Sequence, residues 1–182
     1  MIVELTQTVN APASAVWQVM GEDFDSIAEV VSGVYASQKR PGDGVNGAPM
    51  AGRVCYTSMG KHPLIETIKV WDPKARKVSY EAKSKSFPGF VKSLVNNWEF
   101  VEINDTQTEV RMRLEGELSF PFNHLMGGMM ARRFKKIMPG LISEMEHYAR
   151  TGKKHPEKTA FDATAKAEKT RNQLTAAALN IG

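Results

Sequence analysis

Glu66 is the residue in this chain whose type and setting most suggest chemistry. Leu64, Glu66, Ile68 and Val70 fall on one face of an alternating segment, and Ile65, Thr67, Lys69 and Trp71 fall on the other. If the first set faces inward, a carboxylate stands in an apolar interior. Desolvation there disfavours its charged form and raises its pKa, the setting of a general acid or base. If the second set faces inward, Glu66 is a solvated surface group. Other polar tips recur among apolar neighbours with the same period. Tyr80 stands with Val78 and Ala82, and Asn96 with Leu94, Trp98 and Phe100. On a segment whose faces are less distinct, Tyr56 and Ser58 stand with Val54. A few hydrogen-bonding groups on apolar walls are what a small-molecule pocket requires. Asn96 fits equally well as a buried amide satisfied by protein or water, and Trp98 and Phe100 fit either core or cavity wall.

His62 sits in the turn Met59-Gly-Lys-His-Pro63, where it is either a proton donor at an opening or a solvated surface histidine. Cys55, the single cysteine, has no His or Asp beside it in sequence and reads as a core thiol. The four histidines, His62, His124, His147 and His155, lack metal-ligand spacing, so no metal is expected. Nucleophile–base pairs, phosphate loops and metal motifs are missing, so no cofactor is expected either. This inventory favours binding over catalysis. The enzymatic alternative is proton transfer by Glu66, assisted by Tyr80 or His62.

These side chains have to be held by a sheet. Residues 2–9 alternate as a first strand, and Asn10-Ala-Pro-Ala-Ser opens a short helix with Asn10 as its N-cap. A second short helix covers about 24–30. Six more strands follow, near 34–39, 53–59, 64–71, 78–83, 94–103 and 108–120, separated by turn formers such as Arg40-Pro-Gly-Asp-Gly and Asn104-Asp-Thr-Gln. The last strand is the clearest: Val110, Met112, Leu114, Gly116 and Leu118 point one way, and Glu109, Arg111, Arg113, Glu115 and Glu117 the other. Such a sheet is antiparallel and covered on one face only. A long helix over about 123–151 carries Met126, Met130, Phe134, Ile137, Leu141, Met145 and Tyr148 at three- and four-residue steps. It is the element available to cover the apolar face. The methionines Met126 and Met130, beside Gly127 and Gly128, suit a wall that adapts to a ligand or a loosely specified helix start.

Composition is that of a globular chain, 42% hydrophobic and 24% charged. No apolar run approaches the ~20 residues of a membrane-spanning helix, and no secretory leader is evident at Met1, so a cytoplasmic location is expected. The net charge of +4 is concentrated in the C-terminal segment, whose basic residues are Lys153, Lys154, Lys158, Lys166, Lys169 and Arg171. The rest is nearly neutral, which argues against nucleic acid as a partner. Residues 1–151 therefore read as one domain. Residues 152–182 read as a basic, Ala/Lys-rich tail, helical in part. Its large apolar groups are only Phe161, Leu174, Leu179 and Ile181, so it docks weakly or not at all, and its lysines are the candidates for contact with an anionic membrane surface.

The order strand, two short helices, six strands, long helix resembles the START-like helix-grip superfamily in its polyketide cyclase/dehydrase and lipid-transport branch. The residues carrying the resemblance are Thr8-Val-Asn-Ala-Pro-Ala-Ser-Ala-Val-Trp17, Asp23-Phe24, Gly52-Arg-Val-Cys-Tyr, Glu66 with Trp71-Asp72, and Phe134, Leu141-Ile142 and Met145. The resemblance covers about residues 1–150. It implies an α+β fold in which a seven-stranded curved antiparallel sheet wraps a long C-terminal helix. It also implies a cavity for a small apolar molecule such as a lipid, quinone or aromatic polyketide. The residues expected to line it are Tyr56, His62, Glu66, Tyr80, Asn96, Trp98, Phe100, Met112, Leu114, Met126, Met130 and Phe134. The turns 59–63 and 87–91 would gate it. Carriers, receptors and enzymes share this fold, so the resemblance leaves carrier and cyclase/dehydratase roles both open.

Overall fold

A computed structural model describes residues 1–179. Ile181 and the side chains of Leu179 and His124 lie outside what it describes. Seven strands form one antiparallel sheet: β1 (Ile2–Val9), β2 (Val34–Arg40), β3 (Gly52–Thr57), β4 (Leu64–Asp72), β5 (Lys77–Lys83), β6 (Val91–Asn104) and β7 (Gln107–Leu118). Their spatial order is β1-β7-β6-β5-β4-β3-β2. All but β1 pair with their sequence neighbours, and β1 pairs along its whole length with β7. The short helices α1 (Ala13–Trp17) and α2 (Ile27–Val30), joined through a π turn and a 3₁₀ turn, carry the chain from β1 to the far edge strand β2. After β7 come α3 (Phe122–Leu125) and the long α4 (Gly127–Thr151), then α5 (Pro156–Asp162) and α6 (Ala165–Leu179).

The alternation read in β7 holds throughout: Val110, Met112, Leu114, Gly116 and Leu118 are buried, and Arg111, Arg113, Glu115 and Glu117 are exposed. The outer face is tied by ion pairs, among them Arg113 with Glu4 and Glu115, and Arg111 with Glu99 and Glu109. The inner face packs with α1, α2 and α4 into one core around Phe24, Phe100, Leu114 and Ile142.

Four local expectations change. Asn10 does not cap α1: the helix starts at Ala13 with Pro12 in the cap position and no side-chain cap, and Asn10 donates from its backbone and side-chain amides to Glu146 on α4. A bulge against β5 between Ile68 and Val70 exchanges the faces of β4, since one extra residue reverses the alternation beyond it. Leu64, Glu66 and Ile68 face in as expected, but Val70 is exposed and Trp71 packs against the core instead. On α4 the buried residues include Met138, Ile142 and Met145, and Ile137 is exposed. The C-terminal segment is docked: Lys158 and Ala167 are wholly buried, and Phe161 stacks on Tyr35 of β2 with ring centroids 5.1 Å apart.

Candidate functional site

The chemistry collects where β3, β4 and β5 run side by side. The β3–β4 hairpin is symmetric about Met59 and Gly60, which sets Arg53 opposite Glu66 and Cys55 opposite Leu64. Opposite residues share a face, so an inward Glu66 brings Arg53 and Cys55 inward with it. Gly52 makes the close approach possible. Its φ is +151°, and a Cβ there would fall 2.0 Å from the Glu66 carbonyl oxygen. Next along the sheet Ile68 faces Tyr80, Tyr80 faces Asn96, and Asn96 faces Leu114.

Glu66 is 5% exposed and Arg53 3%. Arg53 Nε donates to Glu66 Oε2, and Arg53 Nη1 donates to the Phe24 carbonyl at 2.6 Å. The guanidinium lies over the Phe24 ring, 3.9 Å from its centroid, and Phe24 meets Tyr80 edge-on at 5.1 Å. Cys55 Sγ donates to the same Glu66 oxygen at 3.6 Å, so both contacts fall on Oε2. Trp98 Nε1 donates to the Tyr80 hydroxyl at 3.3 Å. Burial alone would lower the pKa of Arg53, but the Glu66 carboxylate outweighs it and holds the guanidinium above its ordinary value. Burial pushes the Cys55 thiol up to about 12 and raises the Tyr80 hydroxyl, with Glu66 adding to both. The sequence places Glu66 among apolar groups. Its counter-ion is Arg53, a residue not singled out in the sequence, so the carboxylate is compensated and not merely desolvated.

Above this cluster is a cavity of about 560 Å³ between the sheet and α4. Glu66, Tyr80, Asn96, Trp98 and Leu114 line it from the sheet, Met20, Ile27 and Val31 from the α1–α2 region, and Phe134, Met138 and Leu141 from α4. A second polar group enters from α4. Buried Glu144 accepts from the backbone N–H of Ser32 at 2.8 Å and from the Ser32 hydroxyl, tying the helix to the turn before β2.

Six expected lining residues are placed elsewhere. Phe100 and Met112 are buried in the core below the cavity, Phe100 between Trp17 and Trp98. Tyr56 is on the outer side of β3, because Arg53, Cys55 and Thr57 take the inner one. His62 is exposed, and its backbone N–H donates to Ser86 Oγ at 2.9 Å, so the two mouth turns touch through it while Met59 and Phe87 supply the lining. Met126 and Met130 lie at the start of α4, outside the lining. Residues that could hold a cation come together where spacing gave no sign: Glu144, His155 and Glu157 each bring one ligand atom within 4.8 Å of the others. Glu144 is committed to Ser32, and His155 Nδ1 accepts from the Glu157 N–H at the start of α5.

A one-sided sheet gripping a helix over a mostly apolar cavity with a buried polar corner defines a ligand-binding helix-grip domain. The chain belongs to the polyketide cyclase/dehydrase and lipid transport family, which it matches over residues 1–150. Its fold is similar to that of a START superfamily protein from Mycobacterium smegmatis, with a TM-score of 0.66, 12% identity, and 82% of this chain and 97% of that one covered. It is also similar to the Zhui aromatase/cyclase from Streptomyces sp. R1128, with a TM-score of 0.63, 14% identity, and coverage of 82% and 93%. Against the di-domain ARO/CYC BexL the TM-score is 0.65 at 12% identity, over 81% of this chain and 45% of that one. A comparison with curated proteins found no match. Among the described residues no helix is long and apolar enough to cross a membrane.

Proposed function

We propose that this protein binds a small, mostly apolar molecule carrying one hydrogen-bonding end, with the polar end seated at Glu66, Tyr80 and Asn96. The observation that carries this reading is the charged Arg53–Glu66 pair at the wall of an otherwise apolar cavity of about 560 Å³. A buried pair costs several kcal/mol of desolvation per ion, which a cavity meant only to be filled by side chains does not need. Both contacts to Glu66 fall on Oε2, leaving Oε1 to accept from a ligand hydroxyl. The Tyr80 oxygen accepts from Trp98, which leaves its proton to donate to a ligand carbonyl.

The test is displacement of the neutral fluorescent probe N-phenyl-1-naphthylamine. Leu114→Trp should fill the cavity and weaken probe binding about tenfold or more, the worth of one lost apolar side-chain site. Unchanged binding in a folded Leu114→Trp protein would show that the probe, and with it the proposed ligand, sits elsewhere.

A second reading, a cyclase or dehydratase in which Glu66 moves a proton, is favoured by the same Oε1, outside the Arg53 and Cys55 contacts, in a cavity that Tyr80 also lines. Glu66→Gln separates the two. A binder should change its affinity by no more than about 1–2 kcal/mol, the scale of one hydrogen bond. An enzyme acting on a poly-β-carbonyl substrate should lose about 10²-fold or more in rate with its affinity nearly kept.

A further inference from the structure

Many cations of this protein are held in ion pairs. Those on the outer face of the sheet are paired: Lys69, Arg76, Lys77, Lys83, Lys92, Arg111 and Arg113 each reach a glutamate. Three of the six in the C-terminal segment are spent at home. Lys154 pairs with Glu29 and Asp162, Lys158 is buried on Asp162, and Arg171 also reaches Asp162. The segment expected from sequence to face a membrane therefore uses half of its basic residues to dock.

The first half of α4 differs. From Ser119 to Ser143 the chain has no acidic residue, yet it carries Arg132, Arg133, Lys135 and Lys136. All four are exposed, and none forms an ion pair among the described residues. Directly before them stand apolar side chains turned to solvent: Leu125 is 70% exposed, Met129 59% and Phe122 40%. Positions 125, 129, 132, 133 and 136 recur at three- and four-residue steps, so the apolar and cationic groups lie along one stripe of the α3–α4 helical run. Phe122 stacks on Phe90 at 4.7 Å, which anchors the stripe to the loop before β6.

We infer that this stripe is a docking surface for an anionic lipid bilayer, with Leu125, Met129 and Phe122 entering the headgroup region and Arg132, Arg133 and Lys136 held over lipid phosphates and carboxylates. Unpaired cations beside exposed apolar groups are the pattern of an interfacial helix. A nucleic-acid surface would need no such apolar row, and a self-association interface would set four like charges against their copies. Lys136 and neighbouring Ile137 also border the cavity, so the docked face includes part of its rim. The inference does not depend on what occupies the cavity.

Flotation with vesicles tests it, using phosphatidylcholine alone and phosphatidylcholine with phosphatidylserine. The full chain should float with the anionic vesicles and not with the neutral ones, and should be released as salt screens the charges. Arg132→Ala with Arg133→Ala should weaken binding about 25-fold, at about fivefold per cation. Leu125→Ser with Met129→Ser should likewise weaken flotation with the anionic vesicles at low salt, with the four cations intact. Both variants change exposed side chains, so melting temperatures should match the parent. The inference is overturned if the parent ignores anionic vesicles, or if both variants bind them as the parent does. It is also overturned if the parent self-associates through this stripe, or binds an oligonucleotide while ignoring vesicles.

Discussion

At the scale of single residues, the Arg53–Glu66 pair makes the sharpest energetic prediction. Removing one partner leaves a buried charge uncompensated, which costs about 3–5 kcal/mol, whereas replacing both by apolar groups is often close to neutral. Arg53→Met and Glu66→Met should each lower the urea midpoint strongly, and the double variant should recover most of the loss. If the double variant is as unstable as the two singles combined, the residues are not coupled. Cys55 adds a pH dependence. Its thiol is raised from the ordinary 9.0 to about 12 by burial, so above pH 9 the unfolded chain gives up a proton that the folded one keeps. Stability is therefore fully present below pH 9 and falls as pH rises toward 12, with Tyr80 adding to the loss in the same direction. Cys55→Ala should flatten part of the alkaline slope of the melting temperature. Alternation marked Glu66 as a candidate but left two faces of β4 open; Arg53 was not legible even so far, because β3 offers two mixed faces, Arg53-Cys55-Thr57 and Val54-Tyr56-Ser58. Hydropathy favours the wrong one. The missing signal was pairing: once the turn is centred on Met59 and Gly60, Arg53 must share the face of Glu66.

Elements set by periodicity over many residues were legible, and elements set by a single irregularity were not. Five alternations fixed the faces of β7, and residues buried in the sequence reading are buried in the structure. On β4 the alternation is broken by the bulge at Ile68–Val70, which no spacing rule reveals, and Trp71 turns inward to meet Trp17 at 5.9 Å. The cavity residues followed the same division. Phe100 and Met112 lie on the inward face as expected but in the packed core, Phe100 against Trp17 of α1, and alternation does not separate core from cavity wall. Gly52 is the element-scale test. A β-carbon there would collide with the Glu66 carbonyl at 2.0 Å, so β3 would have to withdraw from β4. Gly52→Ala should destabilise by clearly more than about 1 kcal/mol, the usual cost of a side chain at an incompatible φ. It should also weaken probe binding by loosening the wall that holds Arg53. A melting temperature equal to the parent's would mean that the hairpin yields freely at this point.

At the scale of the whole molecule, the question is what residues beyond Gly152 contribute, since the family match ends at 150. From sequence their thin apolar content could not offset the ordering of a tail at roughly 1 kcal/mol or more per residue, and removal would have been harmless. The structure supplies what composition hides. The sheet is open, and its edge strand β2 would otherwise present a bare flank. The segment after Gly152 lies against it. Phe161 stacks on Tyr35, Lys158 Nζ donates to the Val34 carbonyl at 2.9 Å, and Asp162 gathers Lys154, Lys158 and Arg171. Glu157 reaches the cavity lining, beside Ser32, Gly33 and Val34. A chain ending at Gly152 should therefore lose about 2–3 kcal/mol, which is a drop of about 5–10 °C in melting temperature for a protein of this size. It should also exchange a bound probe faster, because the same strand borders the cavity. Lys158→Met tests the contact without removing the segment. Asp162 keeps two other cations, so the loss should be that of the orphaned Val34 carbonyl, about 1–3 kcal/mol. If the shortened chain melts with the parent and exchanges probe at the same rate, the docked segment is energetically neutral and its contacts with β2 stabilise nothing.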